Sequence, residues 1–215
     1  MKDWRAVAKE AAYQATLDEI RERWGQETPA YNYRWEHVQA VARIAVPLAK
    51  AAGADIDVVE AAAWLHDLCK RGPDDNHGTL GAEAARKVLT QTDFPPAKIE
   101  LVTDAIAKHV GLYTDHPVEP LEAAVLWDAD KLTKVGSTAL LQFTGYQIAL
   151  GDGALEDWID NLTNQSWQDL TLQSFHTREA KEAGAKRLQA YRAFCQQLIL
   201  EFNGDDLGEI EPKSG

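Results

Sequence analysis

Ala61-Ala62-Ala63-Trp64-Leu65-His66-Asp67-Leu68-Cys69-Lys70 sets an imidazole and a carboxylate side by side in an apolar run. Val58, Val59, Ala62, Leu65 and Leu68 recur at helical spacing. The stretch therefore reads as a buried amphipathic helix, capped by Asp55 or Asp57 and ending near Arg71-Gly72-Pro73. A carboxylate in a helix core is costly unless an ion pair or a metal ion compensates it. Taken alone, His66-Asp67 also fits an ordinary capped or solvated pair, so the rest of the chain must decide.

Upstream, residues 2–24 read as an alanine-rich amphipathic helix stopping near Gly25. Asn32 is placed to cap a helix running to about Ala52 and Gly53, with a kink expected at Pro47. Downstream, Asp74-Asp75-Asn76-His77-Gly78 is a polar turn, and Thr79 can cap a helix containing Ala82, Ala85, Val88 and Leu89. Pro95-Pro96 opens another helix, with Ile99, Val102, Ile106 and Val110 on one stripe and His109 near its end. A helix over 121–134 carries Asp128-Ala129-Asp130-Lys131, and further helices are predicted over 136–150, 155–166 and 178–202. No strand-period segment of useful length appears. The prediction is all-α: a compact multi-helix bundle with a core over 31–150. An N-terminal helix within 1–30 packs on it, 151–203 form a C-terminal helical extension of the same domain, and 204–215 form a disordered acidic tail.

The 215 residues carry a net charge of -12, which argues against a broad surface for duplex nucleic acid. A small phosphorylated ligand stays compatible with that balance if a metal ion supplies local positive charge. Cys69 and Cys195 belong to no ligand motif and imply no disulfide framework. The charged start Met1-Lys2-Asp3-Trp4-Arg5 lacks the apolar core of a signal peptide, and no apolar run is long enough to span a bilayer. The expectation is a cytoplasmic protein with no membrane partner; self-association is left open.

The chemistry lies in a set rather than in one residue. His37, His66, Asp67 and Asp130 fall on three predicted helices, each within an apolar stripe. Packing those stripes around one core would bring imidazoles and carboxylates together, as in helical metalloproteins whose ligands project inward. Such a mixed donor set suits Mn, Fe, Co, Ni or Zn better than Ca. Each residue has a plainer alternative: His37 and His109 as ordinary core or surface histidines, His77 as a turn residue, Asp130 as a solvated acid. His116 and His176, in polar surroundings, keep that plainer reading.

The order His, His-Asp, Asp resembles the HD-domain metal-dependent phosphohydrolases. Arg34-Trp35-Glu36-His37-Val38 matches the first histidine, Trp64-Leu65-His66-Asp67-Leu68 the paired motif, and Asp128-Ala129-Asp130-Lys131-Leu132 the final aspartate. Within the last motif the family's usual Ala-Asp-basic-Leu order selects Asp130, with Asp128 as second choice or as a partner behind the ligands. The resemblance runs from about Tyr31 to Gln142. Phe175-His176-Thr177, followed by Ala180, Lys181, Arg187 and Phe194, is loosely similar to the C-terminal helix of a small bacterial branch that acts on nucleotides. His77 and His109 fall where binuclear relatives place extra histidines. Val110 after His109 departs from the paired histidine of the cyclic-di-nucleotide branch.

What the resemblance implies is an HD-domain bundle holding a divalent metal ion (Mn, Co, Ni, Fe, Mg or Zn). His37, His66, Asp67 and Asp130 would be the ligands, and one ion is expected, with two as the alternative. The expected reaction is hydrolysis of a phosphate ester or anhydride of a small phosphorylated substrate, a nucleotide in the first instance. Asp67, Lys131 and His109 would be the catalytic residues. His77, His109 and Arg34 would contact a second metal or a phosphate, whereas Lys70 and Arg71 are expected to face the carboxyl end of the central helix. Tyr31, Tyr33, Trp35 and Tyr113 could stack on a base, although core or rim roles suit each of them. Two rival readings share the ligand set: a non-catalytic metal-stabilised module that binds a nucleotide or protein partner, and a di-iron oxygenase.

Overall fold

The computed structural model describes residues 1–71, 76–150, 153–164 and 167–208. Among these residues the regular structure is helical, apart from one isolated bridge between Lys2 and Thr92. The first helix, α1 (Trp4–Trp24), starts where the Asp3 carboxylate accepts from the Arg5 and Ala6 amides. It ends at Gly25, whose φ of 64° lies in the left-handed region. Trp4 is held at the start of α1 by the hydrogen bond its backbone N–H donates to Asp93 Oδ1 and by an edge-on contact with Phe94 at 5.1 Å.

Helix α2 (Tyr33–Ala52) is capped by Asn32, which accepts from the Trp35 amide at 2.9 Å, and it continues through Pro47. Helix α3 (Ile56–Leu65), capped by Asp55, is the axis of the bundle. Val58, Val59, Ala61, Ala62, Ala63 and Leu65 are all fully buried. Burial stabilises by roughly 1.5–3 kcal/mol per large apolar side chain, and the alanines let neighbouring helices approach closely. The neighbours that wrap α3 are α1, α2, α4 (His77–Leu89), α5 (Ile99–Lys108) and α6 (Leu121–Leu132).

The remaining helices, α7 (Ser137–Leu150), α8 (Leu155–Thr163), α9 (Trp167–Gln173) and α10 (Arg178–Asn203), lie against the outer side of this core. Helix α10 touches α2, α6, α7, α8 and α9. Its first turn is capped by the Thr177 side chain, and its end is set by Gly204 at φ 75°.

Three expectations need correction. The central helix does not reach Arg71: α3 stops at Leu65, and His66-Asp67 lie on the turn after it. There the His66 ring takes the Ala63 carbonyl at 2.8 Å, while Leu68 and Lys70 bond three residues back, to Leu65 and Asp67. Side-chain capping and tight turns thus satisfy carbonyls that the helix would otherwise leave orphaned. Helix α4 begins at His77, not after Thr79, so His77 opens a helix rather than sitting in a turn. The segment predicted as one helix over 155–166 is α8 ending at Thr163, with α9 following as a separate helix. The predicted turn at Asp74-Asp75, the helix stop at Gly72-Pro73, residues 165–166 and most of the tail, 209–215, lie outside the described residues; Asp205–Leu207 form one 3-10 turn.

Candidate metal centre

Five elements deliver side chains to one place. The first turns of α2 bring Arg34 and His37, and the turn after α3 brings His66 and Asp67. The start of α4 brings His77, the residue after α5 is His109, and the end of α6 brings Asp130 and Lys131. All six imidazole and carboxylate residues are at most 8% exposed.

Asp67 sits between two imidazole groups. Its Oδ2 is 3.4 Å from His66 Nε2 and 3.7 Å from His37 Nε2. Its Oδ1 is 3.6 Å from His109 Nε2 and 3.8 Å from His77 Nε2. Within each of the sets His37–His66–Asp67 and Asp67–His77–His109, the donor atoms lie within 4.8 Å of one another. Asp130 joins from the other side, with Oδ1 3.2 Å from His37 Nε2.

The rings are oriented from behind. His66 Nδ1 lies 2.8 Å from the Ala63 carbonyl and His109 Nδ1 lies 2.6 Å from the Ile106 carbonyl. A carbonyl only accepts, so Nδ1 carries the proton in both rings and Nε2 keeps its lone pair for the site. Thr133 Oγ1, 3.3 Å from His37 Nδ1, supports that ring in the same way. His109 Nε2 is buried without a hydrogen-bond partner. A lone pair buried in that position, facing a carboxylate oxygen and two further imidazoles, fits a divalent ion ligated by imidazole and carboxylate.

The electrostatics agree with that donor set. Burial pushes His37 and His109 down to about 4, so both rings are neutral near pH 7. Burial opposes ionisation of Asp67, but His66 and Arg34 hold its carboxyl well below the usual range. Asp130 is held low against the same burial by Lys131 and Lys134. Burial also disfavours a charged His66, but the Asp67 charge outweighs it and raises that imidazole. Lys131, 1% exposed, is pushed down to about 8 by burial, with Asp130 opposing the shift. Its ammonium donates to Asp130 Oδ2 at 2.6 Å and to the His109 carbonyl at 2.5 Å.

A cavity of about 300 Å³ opens onto these groups and is lined on its cationic side by Arg34, Lys70, Lys131 and Lys134. Lys70 faces the site, with Nζ 3.4 Å from His77 Nδ1, which corrects its expected place at a helix end. Arg71 does bond a carbonyl, that of Lys70, and also pairs with Glu22. Arg34 is neither a surface residue nor an idle fork. Its NH1 donates to Asp67 Oδ2 at 2.7 Å and its Nε to Glu19 Oε2 at 2.8 Å.

Asp128 is not a partner of the ligands. Residues two apart on a helix point about 200° apart. The Asp128 carboxylate accordingly faces α10, where it accepts from the His176 and Thr177 amides and the Thr177 hydroxyl at 2.7–2.9 Å. His176, which precedes Thr177, packs on Trp127 at 6.0 Å, and His116 is an exposed loop residue beside Asp115. Among the four aromatics considered for a base, Trp35 packs on Tyr13 and Trp64, and Tyr31 packs over Gly145. Tyr113 lines a separate cavity with Lys108, and Tyr33 alone stands beside the metal-ligand group.

Sequence reading missed Glu19 and Lys134. Lys134 follows Asp130 at i,i+4 spacing, a readable signal, and its Nζ is 2.6 Å from Asp130 Oδ1. Glu19 is 1% exposed on α1, and only the packing of α1 on α2 distinguishes it from the solvated acids of that helix.

Among the described residues, a helical bundle gathers four histidines and two aspartates at one interior point, a buried imidazole–carboxylate cluster that could hold a metal ion. Residues 34–134 match the model of the HD domain. Similar folds include Bacillus subtilis YpgQ in complex with ADP, 21% identical with a TM-score of 0.62 over 91% of this chain and 96% of that one. Another is an HD-superfamily hydrolase from Bacillus thuringiensis, 18% identical with a TM-score of 0.61 over 91% and 98% of the two chains. A stretch of 57 residues is 42% identical to the bifunctional uridylyltransferase/uridylyl-removing enzyme of Rhodopseudomonas palustris. That stretch is 26% of this chain and spans only 6% of the length of that enzyme. No helix among the described residues is long and apolar enough to cross a membrane.

Proposed function

We propose that this protein is a metal-dependent phosphohydrolase acting on a small phosphorylated molecule of the nucleotide class. The observation that carries the reading is Asp67, whose two oxygens each face an imidazole group at the mouth of a cavity edged by four cations. His37, His66, Asp67 and Asp130 would hold the ion. When bound there, a divalent ion polarises a phosphoryl oxygen and makes water more acidic. The chain supplies the rest. The ionised carboxyl of Asp67 orients water by accepting its proton in a hydrogen bond. Lys131, Lys134, Lys70 and Arg34 place positive charge where the departing phosphate gains negative charge. The buried, neutral His109 presents an acceptor at Nε2 to the same space. The similarity to a protein crystallised with ADP supports a phosphorylated ligand of this kind.

A second ion is the alternative stoichiometry, favoured by the Asp67–His77–His109 group. In that case Asp67 would be shared between the two ions. Metal analysis of the purified protein separates one ion per chain from two.

The test is release of phosphate or pyrophosphate from a nucleotide panel by metal-stripped protein resupplied with Mn, Co, Ni, Mg or Zn. Metal-dependent release is expected, falling at least about 100-fold in Asp67→Asn, which keeps the shape and removes the charge. Protein that binds metal and nucleotide yet releases nothing with any ion would overturn the hydrolase in favour of a binding module.

A further inference from the structure

The geometry points to a ring-binding subsite next to the metal-ligand cavity, built by α2 and α7 to stack the nucleobase of a nucleotide whose phosphates lie against Arg34 and Lys134. It deepens the reading above and rests on it for the phosphate end of the ligand. A second cavity, of about 210 Å³, shares Arg34, His37 and Lys134 with the metal-ligand cavity, so the two adjoin. Away from those charges its lining turns aromatic, with Tyr33, Phe143 and Tyr146. The three rings are partly exposed rather than sealed in the core.

The walls are held in place. The Tyr33 hydroxyl donates to the buried Glu19 carboxylate at 2.8 Å, and its ring meets that of Tyr146 edge-on at 4.9 Å. Tyr31, just before α2, packs its ring over Gly145 of α7, where an added Cβ would lie 2.4 Å from the ring and force it to shift. The cavity therefore has cationic lining shared with the metal-ligand cavity and aromatic lining beside it. A phosphate chain ending in a planar ring matches that order, because aromatic side chains stack on the face of any base. Gln142, also on the wall, carries both a donor and an acceptor for the edge of that ring.

The experiment compares two ligands that cannot be hydrolysed, a methylene-bridged nucleoside diphosphate and methylenediphosphonate, which has the phosphates without the ring. Binding to the Mn-loaded protein is measured by calorimetry for the wild type, Phe143→Ala and Phe143→Leu. The nucleotide is expected to bind at least about tenfold more tightly than the base-free compound in the wild type, and this ratio should fall to near unity in both variants. Phe143→Leu keeps an apolar side chain of similar size, so a fall shared by both variants reports the lost ring face rather than misfolding. Gln142→Glu should re-order preference among bases. Equal affinity of the two ligands in the wild type would overturn the proposal, as would a ratio that survives in Phe143→Leu. The readout is affinity alone, so failure of nucleotide turnover would sink the hydrolase reading without deciding this one.

Discussion

Asp67 is held by a chain of charges that begins on a different helix. Glu19 accepts from Arg23, Tyr33 and Arg34, and Arg34 carries the contact on to Asp67. Removing one partner of a buried pair leaves the other charge uncompensated, which costs far more than the pair is worth. Glu19→Gln is therefore expected to lower the unfolding free energy by about 3 kcal/mol in urea titrations, although Glu19 lies on α1, outside the motifs. A loss within about 0.5 kcal/mol would show that Arg34 is satisfied by Asp67 alone. Asp128 gives the opposite case. Its carboxylate caps α10, so Asp128→Asn should lower the thermal midpoint, with a cost of about 1 kcal/mol, while metal content per chain stays at the wild-type value. A parallel loss of metal would return Asp128 to the ligand set.

The turn that follows α3 decides where the paired motif points. On a continuing helix His66 and Asp67 would diverge by about 100°. On the turn, His66 Nε2 and Asp67 Oδ2 come within 3.4 Å of each other. Helix α4 then closes the second half of the centre by an unusually close approach to α5. A Cβ on Gly78 would meet Val110 Cγ2 at 2.7 Å and the Ala107 carbonyl oxygen at 3.0 Å. Gly78→Ala is accordingly expected to push the start of α4 outward and to cost about 1–3 kcal/mol. Because His77 precedes Gly78, metal affinity measured by competition with a chelator should fall as well. Unchanged stability and affinity would mean that Val110 simply moves aside.

The whole molecule couples its stability to the protonation of this centre. His109 has its pKa lowered from 6.5 to about 4 in the folded chain. Above about pH 6.5 the ring is neutral whether folded or unfolded. As pH falls toward 4 only the unfolded chain takes up the proton, so stability is lost across that window. His37 acts in the same direction, whereas the raised His66 favours the folded state at low pH and works against both. Metal-stripped wild type should therefore lose on the order of 1–3 kcal/mol more than His109→Gln between pH 6.5 and 4.5, read from denaturation midpoints. Identical slopes in the two proteins would show that the ring takes up its proton equally in both states.

Helix content, most helix starts and the residue types of the interior cluster were legible in the chain because they depend on local chemistry. Asn32, Asp55, Gly25 and Gly53 are short-range signals that act on the backbone next to them, and the apolar stripes follow a fixed period. His37, His66, Asp67 and Asp130 stood out because imidazoles and carboxylates are costly within apolar stripes. The tertiary structure decided which of these groups meet. It ended α3 at Leu65, turned Asp128 toward α10 and Asp130 toward His37, and drew Glu19 of α1 and Lys70 into the same electrostatic network. Those outcomes depend on how helices far apart in sequence pack, and the free energy that selects them comes from burial and charge pairing across elements rather than from any local stretch.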